Sequence, residues 1–202
     1  MKIIRIIHDI FLEKRENTSS TFNPSELTEH YKKERWSHHL DAIYIATTYA
    51  EIEEELTRYK YHSEREYVDL FVDLLAKLVD LHPDIADGQT TIVPVPMHWS
   101  RYILRGFDHT SLIVRRLSKK TGLPYQKLLS TKWTRHQSKL SREKRLENKK
   151  NTFRIRYHQN IPESVILFDD VISSGSTADE CARVLKDAWV KRVVGIFLAS
   201  NL

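Results

Sequence analysis

The stretch V-I-L-F-D-D-V-I-S-S-G-S-T, residues 165–177, decides how this chain of 202 residues folds. Its first four residues are apolar and largely β-branched or aromatic, the composition of a short strand covered on both faces in a parallel sheet. Asp169 and Asp170 follow at once. The pattern therefore predicts two carboxylates at the carboxyl end of a buried strand, suited to accepting hydrogen bonds from vicinal hydroxyls or to facing a metal. Ser173, Ser174, Gly175, Ser176 and Thr177 are small, so their backbone N–H groups can turn inward around an anion. Residues 178–189 are helical by pattern, with Ala178, Cys181, Ala182 and Leu185 on one face, and the positive helix end adds to such a site. Strand, paired acids, small-hydroxyl loop and helix, in that order, read as a grip for a sugar phosphate.

Other phosphate loops are excluded by the glycines. The chain has five, Gly88, Gly106, Gly122, Gly175 and Gly195, and their spacing accommodates neither a G-x-G-x-x-G dinucleotide loop nor a G-x-x-x-x-G-K-[ST] loop.

Outward from this stretch the pattern alternates. Residues 192–198 read as a strand, and so do 91–95, which end in a run containing Pro94 and Pro96. Residues 107–120 read as a helix that Gly122 terminates. Residues 126–129 form a brief strand candidate. Further upstream, 13–40 read as a loop-rich arm and 41–61 as a helix rich in acids (Glu51, Glu53, Glu54, Glu55). A second helix over 64–81 carries Val68, Phe71, Leu75 and Leu78 on one face and is stopped by Pro83. Strands alternating with helices predict an α/β fold, a doubly wound, mostly parallel sheet. We expect an N-terminal helical arm and hood-like lobe over 1–90 and a core over 91–202.

A hydrophobic fraction of 41% and a charged fraction of 29% are those of a globular chain. No apolar run approaches the roughly 18 residues that a spanning helix needs, and the N-terminus lacks the features of a signal peptide; no membrane association and a cytoplasmic location are expected. The single cysteine, Cys181, excludes an internal disulfide and any multi-thiolate zinc site. Its place on the apolar helix face marks it as a core residue. The charge is unevenly spread: ten basic against two acidic residues give 132–156 a charge of +8 within a chain of +5, which leaves −3 on the rest. Such a segment attracts polyphosphate, nucleic acid or an acidic partner.

A second anion site is expected in residues 96–108. There Arg101 and Arg105 offer several N–H donors each, and Gly106 permits close backbone approach.

The 165–177 stretch resembles the phosphoribosyl pyrophosphate (PRPP) motif of the type I phosphoribosyltransferases. The combination of V-P-V-P at 93–96, R-G-F-D-H at 105–109, T-R-H-Q-S-K-L-S-R-E-K-R-L-E-N at 134–148, N-T-F at 151–153 and F-D-D-V-I-S-S-G-S-T at 168–177 is similar to the narrower competence protein ComF family. Within the third of these, Thr134, Gln137, Leu140, Arg145 and Asn148 fall at the family's spacing, as does Phe153 beyond it. The chain departs from that pattern at Asp108, His109 and Lys139, and with one cysteine it cannot form the zinc ribbon with which many members begin. The resemblance implies that Asp169 and Asp170 hold ribose hydroxyls, that Ser173 to Thr177 hold the 5′-phosphate, and that Arg101, Arg105 and Gly106 hold pyrophosphate. Asp169, Asp170 and Arg105 are then the candidate catalytic residues. Arg135, Gln137, Lys139, Arg142 and Arg145 belong to a closing loop, and Mg2+ arrives mainly through PRPP rather than in a protein cage.

The expected activity is phosphoribosyl transfer from PRPP to an amine or nitrogenous base. A non-catalytic PRPP-responsive regulator or factor associated with competence (DNA uptake) is the first alternative, and nucleic-acid binding through 132–156 the second. No nucleophile or general base stands out; His98, His109 and His136 read as incidental. The acceptor and the oligomeric state stay open, a homo-oligomer included.

Overall fold

The computed structural model describes residues 38–61, 66–86, 89–97, 102–103, 105–131, 152–156 and 160–200. In chain order these form β1 (Ala42–Thr48), α1 (Tyr49–Tyr61), α2 (Tyr67–Leu81), a 3-10 turn at Pro83–Ile85, β2 (Thr91–Pro94), α3 (His109–Thr121), β3 (Leu129–Thr131), β4 (Phe153–Ile155), β5 (Ser164–Ile172), α4 (Ser176–Asp187) and β6 (Arg192–Ser200). β1, β6, β5 and β2 lie side by side in that order, every neighbouring pair parallel. β3 and β4 form a separate antiparallel ribbon.

Alternation along the central strands separates two cores. Ile166 and Phe168 of β5, with Val194, Ile196 and Leu198 of β6, pack beneath α1, α2 and α3. Val165 and Leu167, with Val193 and Phe197, pack against α4 and the ribbon residues Leu129 and Phe153. Helices cover both faces, as the near-continuous apolar runs of β5 and β6 require. The doubly wound α/β reading is borne out, with α1 and α2 forming part of one helical layer over the sheet.

Three expectations change in detail. The helix expected over 41–61 begins only at Tyr49, because the seven residues A-I-Y-I-A-T-T before it form β1, paired with β6 from Ala42 opposite Val194 to Thr48 opposite Ser200. The junction is marked chemically: Glu51 accepts from the Thr48 N–H at 3.2 Å and from the Thr48 hydroxyl at 3.1 Å, a threonine-to-glutamate pairing across the first helical turn. Next, β5 does not stop at Phe168. It stays paired with β6 until Ile172 meets Ser200, so the acids lie within the strand rather than beyond it. Finally, the strand expected over 126–129 starts at Leu129; just before it the chain bridges to β2, with Ile92 N–H donating to Pro124 O at 2.8 Å and Gln126 N–H to Ile92 O at 3.0 Å.

Helix ends follow local chemistry. Asp108 caps α3 by accepting from the Ser111 N–H at 3.0 Å. Gly122 ends that helix at φ 77°, where its N–H reaches Ser118 O at 2.9 Å.

Candidate functional site

β5 continues through both acids, whose side chains make different contacts while their carboxyls stay within hydrogen-bonding reach of each other. Asp170 follows Ile166 and Phe168 toward α1 and α3. There its Oδ2 lies 2.5 Å from Lys60 Nζ at the end of α1 and 2.8 Å from His109 Nε2 at the start of α3. Its Oδ1 accepts the Val171 N–H at 2.7 Å. Asp169 follows Val165 and Leu167 toward α4, and its Oδ1 accepts the Asp170 N–H at 2.9 Å.

This division separates the two acids electrostatically. Burial raises the carboxyl of Asp169 well above the ordinary aspartate range, and the neighbouring Asp170 charge adds to the effect. Burial acts the same way on Asp170 but is outweighed by hydrogen bonding to His109 and the charge of Lys60, which hold its carboxyl well below that range.

Both acids open onto one cavity of about 360 Å³. Its wall also includes Lys60, His109, the β2 exit at Pro96 and Met97, the loop residues Ser173, Ser174, Gly175 and Thr177, and Thr131, Thr152 and Phe153 at the ribbon. Its place at the carboxyl end of a parallel strand is where open α/β sheets hold ligands. Gly175 takes φ 67° and stands before the first turn of α4, whose N–H groups have no side-chain cap from it. Ser173, Ser174, Ser176 and Thr177 are exposed around it, and the Ser174 and Ser176 hydroxyls lie 2.9 Å apart. Donors and hydroxyls gathered at a positive helix end suit an anion of phosphate size.

The cavity gathers Asp169, Asp170 and most of the 173–177 loop; Ser176 follows Gly175 in the chain but is not among its lining residues. Arg105 and Gly106 are not lining residues either. The Arg105 guanidinium contacts both ring nitrogens of His109 at 3.1 and 3.2 Å, donates to the Tyr61 hydroxyl at 3.2 Å and lies 5.1 Å over the Tyr61 ring. Gly106 takes φ 74°, and an added Cβ would meet nothing within 4 Å. Its role here is therefore conformational and not one of close approach. Arg101, His98, His136 and the closing-loop residues Arg135, Gln137, Lys139, Arg142 and Arg145 lie outside the described residues. The ribbon residues flanking that segment, Thr131 and Thr152, both line the cavity. Cys181 is fully buried in the core.

Sequence reasoning missed Lys60 and His109. Lys60 gives no local signal, being one basic residue in the last turn of an ordinary helix. His109 gives a faint one, since it stands directly after the cap of α3, where a side chain faces the sheet.

Fold and site together define a doubly wound α/β protein with an acid-and-hydroxyl cavity at the carboxyl end of its parallel sheet. In sequence the chain is 33% identical over 106 residues to competence protein F of Haemophilus influenzae, which covers 50% of this chain and 46% of that protein. It is 26% identical over 137 residues to competence protein ComFC of Streptococcus pneumoniae, over 68% of this chain and 58% of the relative. The chain spans about half the length of these curated relatives, and they bear out the resemblance to the ComF family read from the sequence. No family model matches. Among solved structures, a hypoxanthine phosphoribosyltransferase from Staphylococcus aureus aligns with 67% of this chain and 64% of its own at a TM-score of 0.40 and 13% identity.

Proposed function

We propose that this protein binds PRPP in the cavity over β5 and transfers its phosphoribosyl group to an amine or nitrogenous base. The observation that carries this reading is the joint lining of one cavity by Asp169, Asp170 and the Ser173–Ser174–Gly175 turn. Carboxylates that can accept from hydroxyls and a turn of phosphate size thus share one cavity, which supports a ribose 5-phosphate as its ligand.

Transfer breaks the bond from ribose C1 to the pyrophosphate oxygen and forms one from C1 to the acceptor nitrogen, which gives up a proton. Positive charge grows on the sugar and negative charge on the leaving group, so catalysis is mainly positioning and charge neutralisation. Asp170, ion-paired to Lys60 in this state, would supply negative charge near the developing cation once sugar hydroxyls reach it. Mg2+ would be carried on the oxygens of PRPP, with Asp169 the acid placed to face it, and would neutralise charge on the leaving group.

A second reading, a PRPP-responsive factor without efficient transfer, is favoured by two observations. The relatives are named for competence, and Asp170 is tied to Lys60 and His109 rather than free toward the cavity. Pyrophosphate release measured with PRPP, Mg2+ and a panel of bases and ammonia divides the two. Release with any acceptor supports transfer, and tight PRPP binding with none supports the regulator.

A further inference from the structure

Resting on the PRPP reading, the contacts of Asp170 point to a further ligand-binding residue. A carboxylate offers about four lone-pair sites, and at least three are in use: Oδ2 faces Lys60 and His109, Oδ1 takes the Val171 N–H, and the Asp169 carboxyl also lies within hydrogen-bonding reach. A vicinal diol needs two, so a partner must leave before Asp170 can grip a sugar. The Val171 N–H belongs to the strand itself. His109 is locked: it opens α3, its ring is only 5% exposed, its carbonyl accepts from the Tyr59 hydroxyl at 2.7 Å, and Arg105 lies against its ring. Lys60 is the partner that can leave, a point charge on a flexible four-carbon stem with its side chain 13% exposed and lining the cavity.

Where it would go follows from charge. Lys60 and Arg105 both converge on the surroundings of Asp170. A displaced ammonium therefore has little reason to remain unless an anion enters with the sugar.

We infer that Lys60 is a charge-exchange residue: it rests on Asp170 in the free protein and moves to the phosphate oxygens of the bound ligand when the ribose hydroxyls take its place. Ligand binding then trades one ion pair for another within the cavity. The sugar end and the anionic end of the ligand are read together, because neither exchange is favourable alone.

The test exploits an opposite-sign effect. Binding of PRPP with Mg2+, and of inorganic pyrophosphate with Mg2+, is measured calorimetrically for the wild type, Lys60→Met, Asp170→Asn and the double variant, each checked by thermal melting. Asp170→Asn removes the resting partner of Lys60, so pyrophosphate should bind roughly tenfold more tightly, the size of one charge-assisted hydrogen bond, while PRPP binds more weakly. Adding Lys60→Met should abolish the pyrophosphate gain. A folded Asp170→Asn protein with no such gain, or a gain that survives in the double variant, overturns the exchange. If Asp170→Asn does not fold, Lys60→Met against Lys60→Arg decides: PRPP affinity lost in the first and kept in the second supports the exchange, and equal affinity in both overturns it. A wild type that does not bind PRPP overturns the functional reading itself, an outcome distinct from all of these.

Discussion

Asp169 and Asp170 are neighbours in the chain but make different contacts, and those contacts set what each can do. Asp170 is held below the ordinary aspartate range by His109 and Lys60. Its charge therefore stabilises the fold above about pH 4, the unfolded value, and this contribution is lost as the pH falls further. Asp169 has the reverse sign. Its raised carboxyl makes its charge unfavourable at neutral pH, a penalty absent near pH 4 and growing as the pH rises. Asp169→Asn is thus expected to raise the melting temperature by a few degrees at pH 8, about 1 kcal/mol, with the gain vanishing near pH 4; a variant equally destabilised at both pH values would contradict this. Asp170→Asn leaves Lys60 and His109 without their acceptor and should cost about 2–4 kcal/mol at pH 7, read from urea unfolding. The paired acids were legible from their position after an apolar run. Their different contacts were not, because these depend on how far β5 continues to pair with β6. The clamp was hidden for a related reason: His109 lies 61 positions from Asp170, and no local pattern joins them.

At the scale of elements, junctions decide where the site falls. The helix over 41–61 was misread because its acids dominate the window, while the β-branched and aromatic run A-I-Y-I-A-T-T and the Thr48-x-x-Glu51 pairing mark a strand and a helix start. α4 is a nearer match: a helix after the small-hydroxyl turn was legible, but it runs from Ser176 to Asp187 rather than over 178–189, because Gly175 supplies the left-handed backbone that lets the helix start at Ser176. The far end of α4 carries strain. Trp189 takes φ 71° while 89% exposed in the turn before β6, a conformation that costs a non-glycine residue roughly 1–2 kcal/mol. Trp189→Gly should therefore raise stability by about 1 kcal/mol, or some 2–4 °C in a chain of this size. An unchanged or lower melting temperature would show that the indole makes a compensating contact.

For the whole molecule, the site exists because a four-stranded parallel sheet is covered on both faces. α1 and α3 bring Lys60 and His109 to one side of β5, α4 and the β3–β4 ribbon close the other, and the cavity opens between them at the carboxyl end. The alternation of strands and helices made this architecture legible; the cavity walls were less so, since they are assembled from elements that meet only in the fold. The function proposed for this cavity requires that it take PRPP. Isothermal titration of the full chain with PRPP and Mg2+, for the wild type and for the double variant Asp169→Asn, Asp170→Asn, is the most direct measurement. The expected result is saturable binding at one site per chain that the double variant weakens by at least roughly a hundredfold, the size of two charge-assisted contacts. No binding to the wild type, or equal binding to a folded double variant, would contradict it.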